Sequence, residues 1–315
     1  MTVSDAAEPE RAGSVDPAPP VAVPPVHPRR LVFLGTPAMA VPPLRALHEA
    51  GHDLALVVSR ADTRRGRGSQ VEPSPVKAAA LELGIPVTDD INAALDVGAD
   101  LGVVVAYGRI IKRPVLEQLP MINLHFSLLP RWRGAAPVER AILAGDERTG
   151  VDVMAVEEGL DTGGVYAQAV LDIGADESAA ELRQRLVEAG STLLVRTLAK
   201  GLGTPTPQTG EVTYAEKLGA ADFEIDWTRP AIDTHRLVRV GGAWTTFRGK
   251  RIRIWRVERR QLSPTLKPGE LAHGFIGTGE GALWLSEVQP EGKARQDVAT
   301  WSHGARLEPV ERFGR

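Results

Sequence analysis

Asn123 and His125 stand two residues apart in MINLHFS, where Ile122, Leu124 and Phe126 alternate with Asn123, His125 and Ser127. If a strand runs to about His125, its pleat puts the amide and the imidazole on one face, with Cα atoms roughly 6.5 Å apart. Asp161 lies in the glycine-flanked EEGLDTGG, after another apolar run. A carboxylate brought to an imidazole orients the ring and favours its charged form. An amide donor, a titratable ring and a carboxylate together suit the stabilisation of an oxyanion while protons move, with no metal required. Each also has a plainer reading. A histidine in a strand is commonly structural, and DTG is ordinary turn chemistry. The linear pattern leaves both readings open. The stretch after His125, FSLLPRWRGAAP, spends two prolines, two arginines and a tryptophan on one turn, which marks a place where something binds.

The segments around these residues alternate between strand and helix signals. LVFLG, LALVVS, LGVVVAYG and MINLH are short apolar runs of the kind buried in a sheet. Between them PPLRALHEAG has helical spacing, with prolines in its first turn and Gly51 after its end. SPVKAAALELG reads as a helix with Ser74 as N-cap and Gly84 closing it. PVERAILAG and the long ESAAELRQRLVEAGSTLLVRTLAKGL are further helices, and GVDVMAVEEG and GVYAQAVLDIG are strands. Strands separated by helices predict a doubly wound, mostly parallel, Rossmann-like α/β sheet, which binds ligands beyond the C-terminal ends of its strands. That is where Asn123 and His125 fall.

Composition bounds the rest. The 315 residues are 43% hydrophobic and 24% charged, with a formal net charge of −3 and no cysteine. Disulfides, thiolate chemistry and cysteine-held metals are excluded, and no apolar run reaches membrane-span length. Residues 1–29, rich in proline, alanine and acid, are expected to form a disordered tail, since they offer too little apolar surface to offset ordering entropy. Residues 30–203 form the expected catalytic domain and 204–225 a Gly/Thr/Pro-rich linker. In 226–315 RIRIWRVER, GELAHGFIG and ALWLSEVQP predict a small β-barrel. No GxGxxG follows the first strand and no Walker loop occurs, which disfavours dehydrogenase and NTPase readings.

Positive charge is local. Arg60, Arg64, Arg65 and Arg67 against Asp62 leave +3 in SRADTRRGRG, and residues 228–260 carry +8, including Arg248, Lys250 and Arg251 beside Trp244, Phe247 and Trp255. A basic β-barrel with aromatic residues suits a nucleic-acid surface. The plainer reading makes the aromatics barrel core, above all Trp255.

The runs GTPAMAVPPL, PSPVKAAALELGIPV, VVVAYGRII, SLLPRWRGAAPVERAILAGDERTGV, GLDTG, TYAEKL, IDW and EVQPEGK occur in this order. Together they resemble the methionyl-tRNA formyltransferase family of formyltetrahydrofolate-dependent transferases, over about residues 30–315. The resemblance implies transfer of the formyl group of 10-formyltetrahydrofolate to the α-amino group of methionyl initiator tRNA, with Asn123, His125 and Asp161 as the catalytic set. It implies that Arg109, Ile110 and Ile111, with Ser127, Leu128, Leu129 and Pro130, line the folate site. It also implies that the Arg60, Arg64, Arg65 and Arg67 loop meets the acceptor stem, and that the C-terminal domain is OB-like and binds tRNA through Arg248, Lys250 and Arg251. A cytoplasmic monomer, free of membrane and of metal, is the expected setting. Relatives often carry an acid and an aromatic residue where this chain has Ala38 and Met39. A sugar-nucleotide N-formyltransferase would share the Asn–His–Asp set but would not need the basic barrel or the arginine loop. A non-catalytic RNA-binding protein would not need the Asn–His–Asp set.

Overall fold

The computed structural model describes residues 21–64, 71–260 and 264–314. Seven strands form the first sheet, in the order Val165–Asp172, Arg148–Ala155, Met121–His125, Leu101–Val105, Arg30–Gly35, Asp53–Val58, Val87–Thr88. The five strands from Met121–His125 to Val87–Thr88 are parallel, and Arg148–Ala155 runs antiparallel to both of its neighbours, Met121–His125 and Val165–Asp172. Leu31–Leu34 and all of Leu101–Val105 are buried, as a parallel sheet covered on both faces requires. Leu31 and Phe33 join a core with Leu44, Leu47, Leu182, Leu186 and Leu194 from two flanking helices, while Val32 and Leu34 join Val115, Leu116 and Leu119 on the other face.

The helix ends follow the sequence signals. Ser74 caps Pro75–Glu82 by accepting Lys77 N–H at 3.0 Å, and Ser178 forms a capping box with Glu181 at the head of Ala179–Lys200. The chain reverses direction across the sheet between Arg30–Gly35 and Leu101–Val105. Thr36 Oγ1 donates to the Tyr107 carbonyl at 3.2 Å and ties the loops after these two strands together. Doubly wound sheets place their ligand crevice at such a switch point.

The second sheet is antiparallel, in the order Trp244–Phe247, Lys250–Glu258, Ala282–Pro290, Phe275–Gly277, Glu270–Ala272, Val310–Arg312. A Phe247–Phe313 bridge and a Gly314 N–H to Thr246 O bond of 2.9 Å join its two edges around Trp227, Ile254, Leu283, Trp301 and Phe313, which gives the expected small OB-like barrel. GELAHGFIG forms a hairpin of two short strands, Glu270–Ala272 and Phe275–Gly277. A helix, Ala231–Val240, precedes the barrel and docks it on the first domain. From this helix Arg239 Nε donates to Glu177 O and Nη2 to Gly174 O, each at 2.8 Å, and His235 Nε2 lies 3.0 Å from Asp176. Burial, with Arg259 nearby, pushes the His235 imidazole down to about 4.

Three expectations change. Residues 21–29 belong to the fold: Ala22 N–H bonds Leu116 O at 2.9 Å, Val26 O accepts Leu202 N–H at 2.7 Å, and Pro28 is buried. Residues 1–20 lie outside the described residues. The expected linker is also structured. Thr206 pairs with Val165, and Tyr214–Ala215 forms a parallel pair with Arg133–Gly134. Trp255 is not barrel core. The register shifts between Ile254 and Arg256, and Trp255 is half-buried, with its indole N–H on Gln289 Oε1 at 3.0 Å and Arg295 over its ring. Phe247 fills the core position instead.

Candidate active site

The pleat of Met121–His125 sorts its residues by chemistry. Ile122 and Leu124 enter the core with the long helix, and Met121 enters the opposite core. Asn123 and His125 share Met121's face but lie nearer the C-terminal end of the strand. His125 is 5% exposed. Its Nε2 lies 3.0 Å from the Trp132 carbonyl. A carbonyl only accepts, so Nε2 carries a proton. Nδ1 faces Asp161 Oδ2 at 3.7 Å. Two acceptors therefore flank one ring: the imidazolium has an N–H for each, and the neutral ring has one proton for both. Asn123 is half-buried, and its side chain has no hydrogen-bond partner among the described residues. Its amide is therefore uncommitted within the described chain.

Asp161 is held in an unusual backbone conformation, with φ +52°. Its Oδ2 accepts the Gly134 N–H at 2.8 Å. Gly134 itself has φ +119° and packs against the Ala215 carbonyl, where a Cβ would come within 3.0 Å. Only glycine fits there easily.

The SLLPRWRG run is fastened by one bond of its own and by two buried or half-buried carboxylates outside it. Ser127 Oγ donates to Arg131 O at 2.6 Å, and Leu129 N–H donates to Asp152 Oδ2 at 2.8 Å. Arg131 binds Asp146 through Nε at 2.9 Å and Nη2 at 2.6 Å, and the Trp132 indole N–H joins the same carboxylate at 2.7 Å. The many special residues thus build a turn whose product is one carbonyl aimed at His125. Ser127 and Leu129, expected to line the folate site, have their polar groups turned inward. Leu128 packs over Gly150, and Pro130 is buried.

Sequence reasoning missed two residues here. Asp152 is fully buried and pairs across the strands with His125. Burial pushes its carboxyl up to about 6, against the opposing bonds from Leu129 N–H and the Gln168 amide. Its signal was present, a lone acid in the apolar run VDVMA. Gln208 lies in the expected linker and reaches the Asp161 loop. No local pattern marks it.

In the expected pterin segment Ile110 is 86% exposed, whereas Ile111 is buried in the core with Val115. Arg109 is exposed and donates to Asp89 O at 3.3 Å. Among the described residues no backbone hydrogen bond ties Gly108–Ile111 to another element. An exposed isoleucine beside uncommitted backbone amides fits the amide-like edge and flat ring of a pterin.

Of the basic residues, Arg60 is exposed and bonds Thr63 Oγ1 at 3.1 Å. The Arg64 backbone pairs with Val71. Arg65 and Arg67 lie outside the described residues. Lys250 and Arg251 are exposed, with Arg251 4.0 Å above the Trp244 ring. Arg251 and Arg253 line a cleft of about 340 Å³ with Gln289 and Glu291. Arg248 is already engaged: it pairs with Glu311 and donates to Ala305 O at 3.0 Å, so the barrel closure takes its charge.

Residues 29–198 match the formyl transferase family, and 217–306 match the formyl transferase C-terminal domain. A methionyl-tRNA formyltransferase of Heliobacterium modesticaldum is 41% identical, covering 90% of this chain and 100% of the relative. One of Paracoccus denitrificans is 44% identical over 88% and 98%. Among solved structures, HypX from Aquifex aeolicus with tetrahydrofolic acid superposes with TM-score 0.62 at 18% identity, over 88% of this chain and 47% of that one. WlaRD, a sugar 3N-formyl transferase, does so with TM-score 0.62 at 15% identity, over 85% and 100%. At such identities the two structures speak for the fold alone. With both formyl transferase domains matched in order and relatives above 40% identity over nearly the whole chain, this protein belongs to the methionyl-tRNA formyltransferase family.

Proposed function

We propose that this chain transfers the formyl group of 10-formyltetrahydrofolate to the α-amino group of methionine esterified to initiator tRNA. A folate-derived formyl donor follows from the formyl transferase family, and the tRNA acceptor from relatives above 40% identity. The observation that carries the chemistry is the His125 ring held between the Trp132 carbonyl and Asp161, beside the uncommitted Asn123 amide.

The attacking amine has an ordinary pKa near 7.7–8, which the adjacent ester lowers, so free base is present at neutral pH. Its lone pair attacks the formyl carbon and charge gathers on the oxygen. Asn123 donates its amide to that oxyanion. His125 holds its Nε2 proton on Trp132, so Nδ1, not hydrogen-bonded to Asp161 at 3.7 Å, is the nitrogen through which a proton passes. As the intermediate collapses, the bond from carbon to the folate N10 breaks. N10 ends protonated and the amine ends one proton poorer. Asp161 holds the imidazolium in place meanwhile. Ile110 and the backbone of residues 108–111 are assigned to the pterin.

For the tRNA we assign the Arg60–Arg67 loop to the acceptor end and Lys250 with Arg251 to backbone phosphates. A cytoplasmic monomer completes this reading. The test is formyl transfer from 10-formyltetrahydrofolate to methionyl initiator tRNA, run beside amino-sugar nucleotides as the competing acceptors. Transfer to the sugar alone would overturn the tRNA assignment. Asn123→Ala, His125→Ala and Asp161→Ala should each lower the single-turnover rate roughly 10²–10³-fold with the fold intact. Near-normal rates in all of them would remove the catalytic assignment.

A further inference from the structure

We propose that Gln208, in the segment joining the two domains, is a positioning residue for Asp161. The proposal rests on the reading of Asp161 as the partner of His125. The Gln208 carboxamide is fully used. Its Nε2 donates to the Asp161 carbonyl and to the Gly163 carbonyl, each at 2.8 Å. Its Oε1 accepts Arg133 Nε at 3.1 Å and Nη2 at 2.6 Å. Arg133 precedes Gly134, whose N–H holds the Asp161 carboxylate.

These bonds close a ring. Gln208 grips the backbone of the Asp161 loop, Gly134 grips its side chain, and Arg133 ties the two grips together. A left-handed, non-glycine backbone such as that of Asp161 persists only where its surroundings over-determine it. Here the two bonds from Gln208 flank Thr162 and hold the loop there. Gln208 is itself anchored on both sides. Thr206 pairs with Val165 in both directions, at 2.8 and 2.9 Å. Thr213 Oγ1 accepts the Trp132 N–H at 2.9 Å, beside the carbonyl that holds His125. The interdomain segment therefore sets the distance between Asp161 and the imidazole.

The test uses the full chain with Gln208→Ala, Gln208→Glu and Asp161→Asn, and the Gln208→Glu/Asp161→Asn double variant. Glutamate keeps the acceptor for Arg133 but replaces the donor with a carboxylate oxygen that two carbonyls repel, so it releases the Asp161 loop while leaving the Arg133 contact. Both Gln208 variants should lower the single-turnover rate at saturating substrates roughly 10–100-fold, the scale of a small misplacement, with KM for folate and tRNA within about twofold. Gln208 acts through Asp161, so Gln208→Glu should cost almost nothing further once Asp161 is Asn. Damage to the fold would multiply instead. If Gln208→Ala fails to fold, Gln208→Glu and the cycle decide. A Gln208→Glu rate within twofold of the parent, or multiplicative losses in the cycle, would overturn the role of Gln208 while a crippled Asp161→Asn left the catalytic reading standing. An unimpaired Asp161→Asn would defeat that reading itself.

Discussion

Asp152 shows how far burial moves a single residue. Its carboxylate has no solvent, accepts one backbone and one amide proton, and still titrates near 6, because desolvation outweighs both bonds. The folded chain keeps this proton at pH values where the unfolded chain, with the ordinary value of 3.8, has lost it. The stability it contributes is therefore full below about 4 and is lost as pH rises through about 6. Asp152→Asn removes the titration, keeps an acceptor for the Leu129 N–H, and lets the Gln168 amide turn to accept. The variant should gain stability relative to the parent between pH 4 and 7, by up to about 3 kcal/mol. Urea unfolding at several pH values measures this, and a gap that narrows with rising pH would contradict it. The acid was visible in VDVMA, but its burial on both faces depends on strands that precede and follow it.

At the scale of elements, residues 21–29 are the clearest departure from composition. Their proline and lack of aromatics read as tail, yet they are fastened to a helix end at Leu116, to Leu202 and to Asp100, which accepts both Arg29 and Arg30 N–H. Each such bond is worth about 0.5–1.5 kcal/mol net. A chain beginning at residue 30 should therefore melt roughly 4–8 °C below one beginning at residue 21, for a loss of about 2 kcal/mol. Scanning calorimetry of the two truncations decides it, and equal melting temperatures would return the segment to the tail. Proline-rich segments gain order this way when their partners are other elements' unpaired backbone groups, which composition does not count.

Across the whole molecule, basic residues divide between those paired within the barrel and those left, among the described residues, without an acidic partner. All three of Arg248, Lys250 and Arg251 are exposed on one hairpin, but only Arg248 is bound to Glu311 and to the carbonyl of Ala305. Neutralising Lys250 and Arg251 should weaken tRNA binding and flatten its salt dependence by about one unit of log–log slope for each phosphate left without its cation, with little change in melting temperature. Arg248→Ala should do the reverse, lowering the melting temperature and leaving the slope near that of the parent. Filter binding at several salt concentrations, with thermal melts of each variant, separates the two, and a steep loss of slope in Arg248→Ala would reverse the assignment.

The linear chain determined the alternation of strands and helices, the cap at Ser74, and the shared face of Asn123 and His125. All of these are local: a 2.0 or 3.6 period and a cap are written within a few residues. The chain also carried the ordered motifs from which its family was read. Tertiary structure alone decided which carbonyl meets His125, because the turn through Trp132 closes against Asp146 and Thr213, 14 and 81 residues away. It alone decided that Gln208 is part of the site and that Arg248 is not free. Hydrogen bonds across such separations depend on where the sheet, the interdomain segment and the barrel lie relative to one another, and no periodicity in the sequence encodes that arrangement.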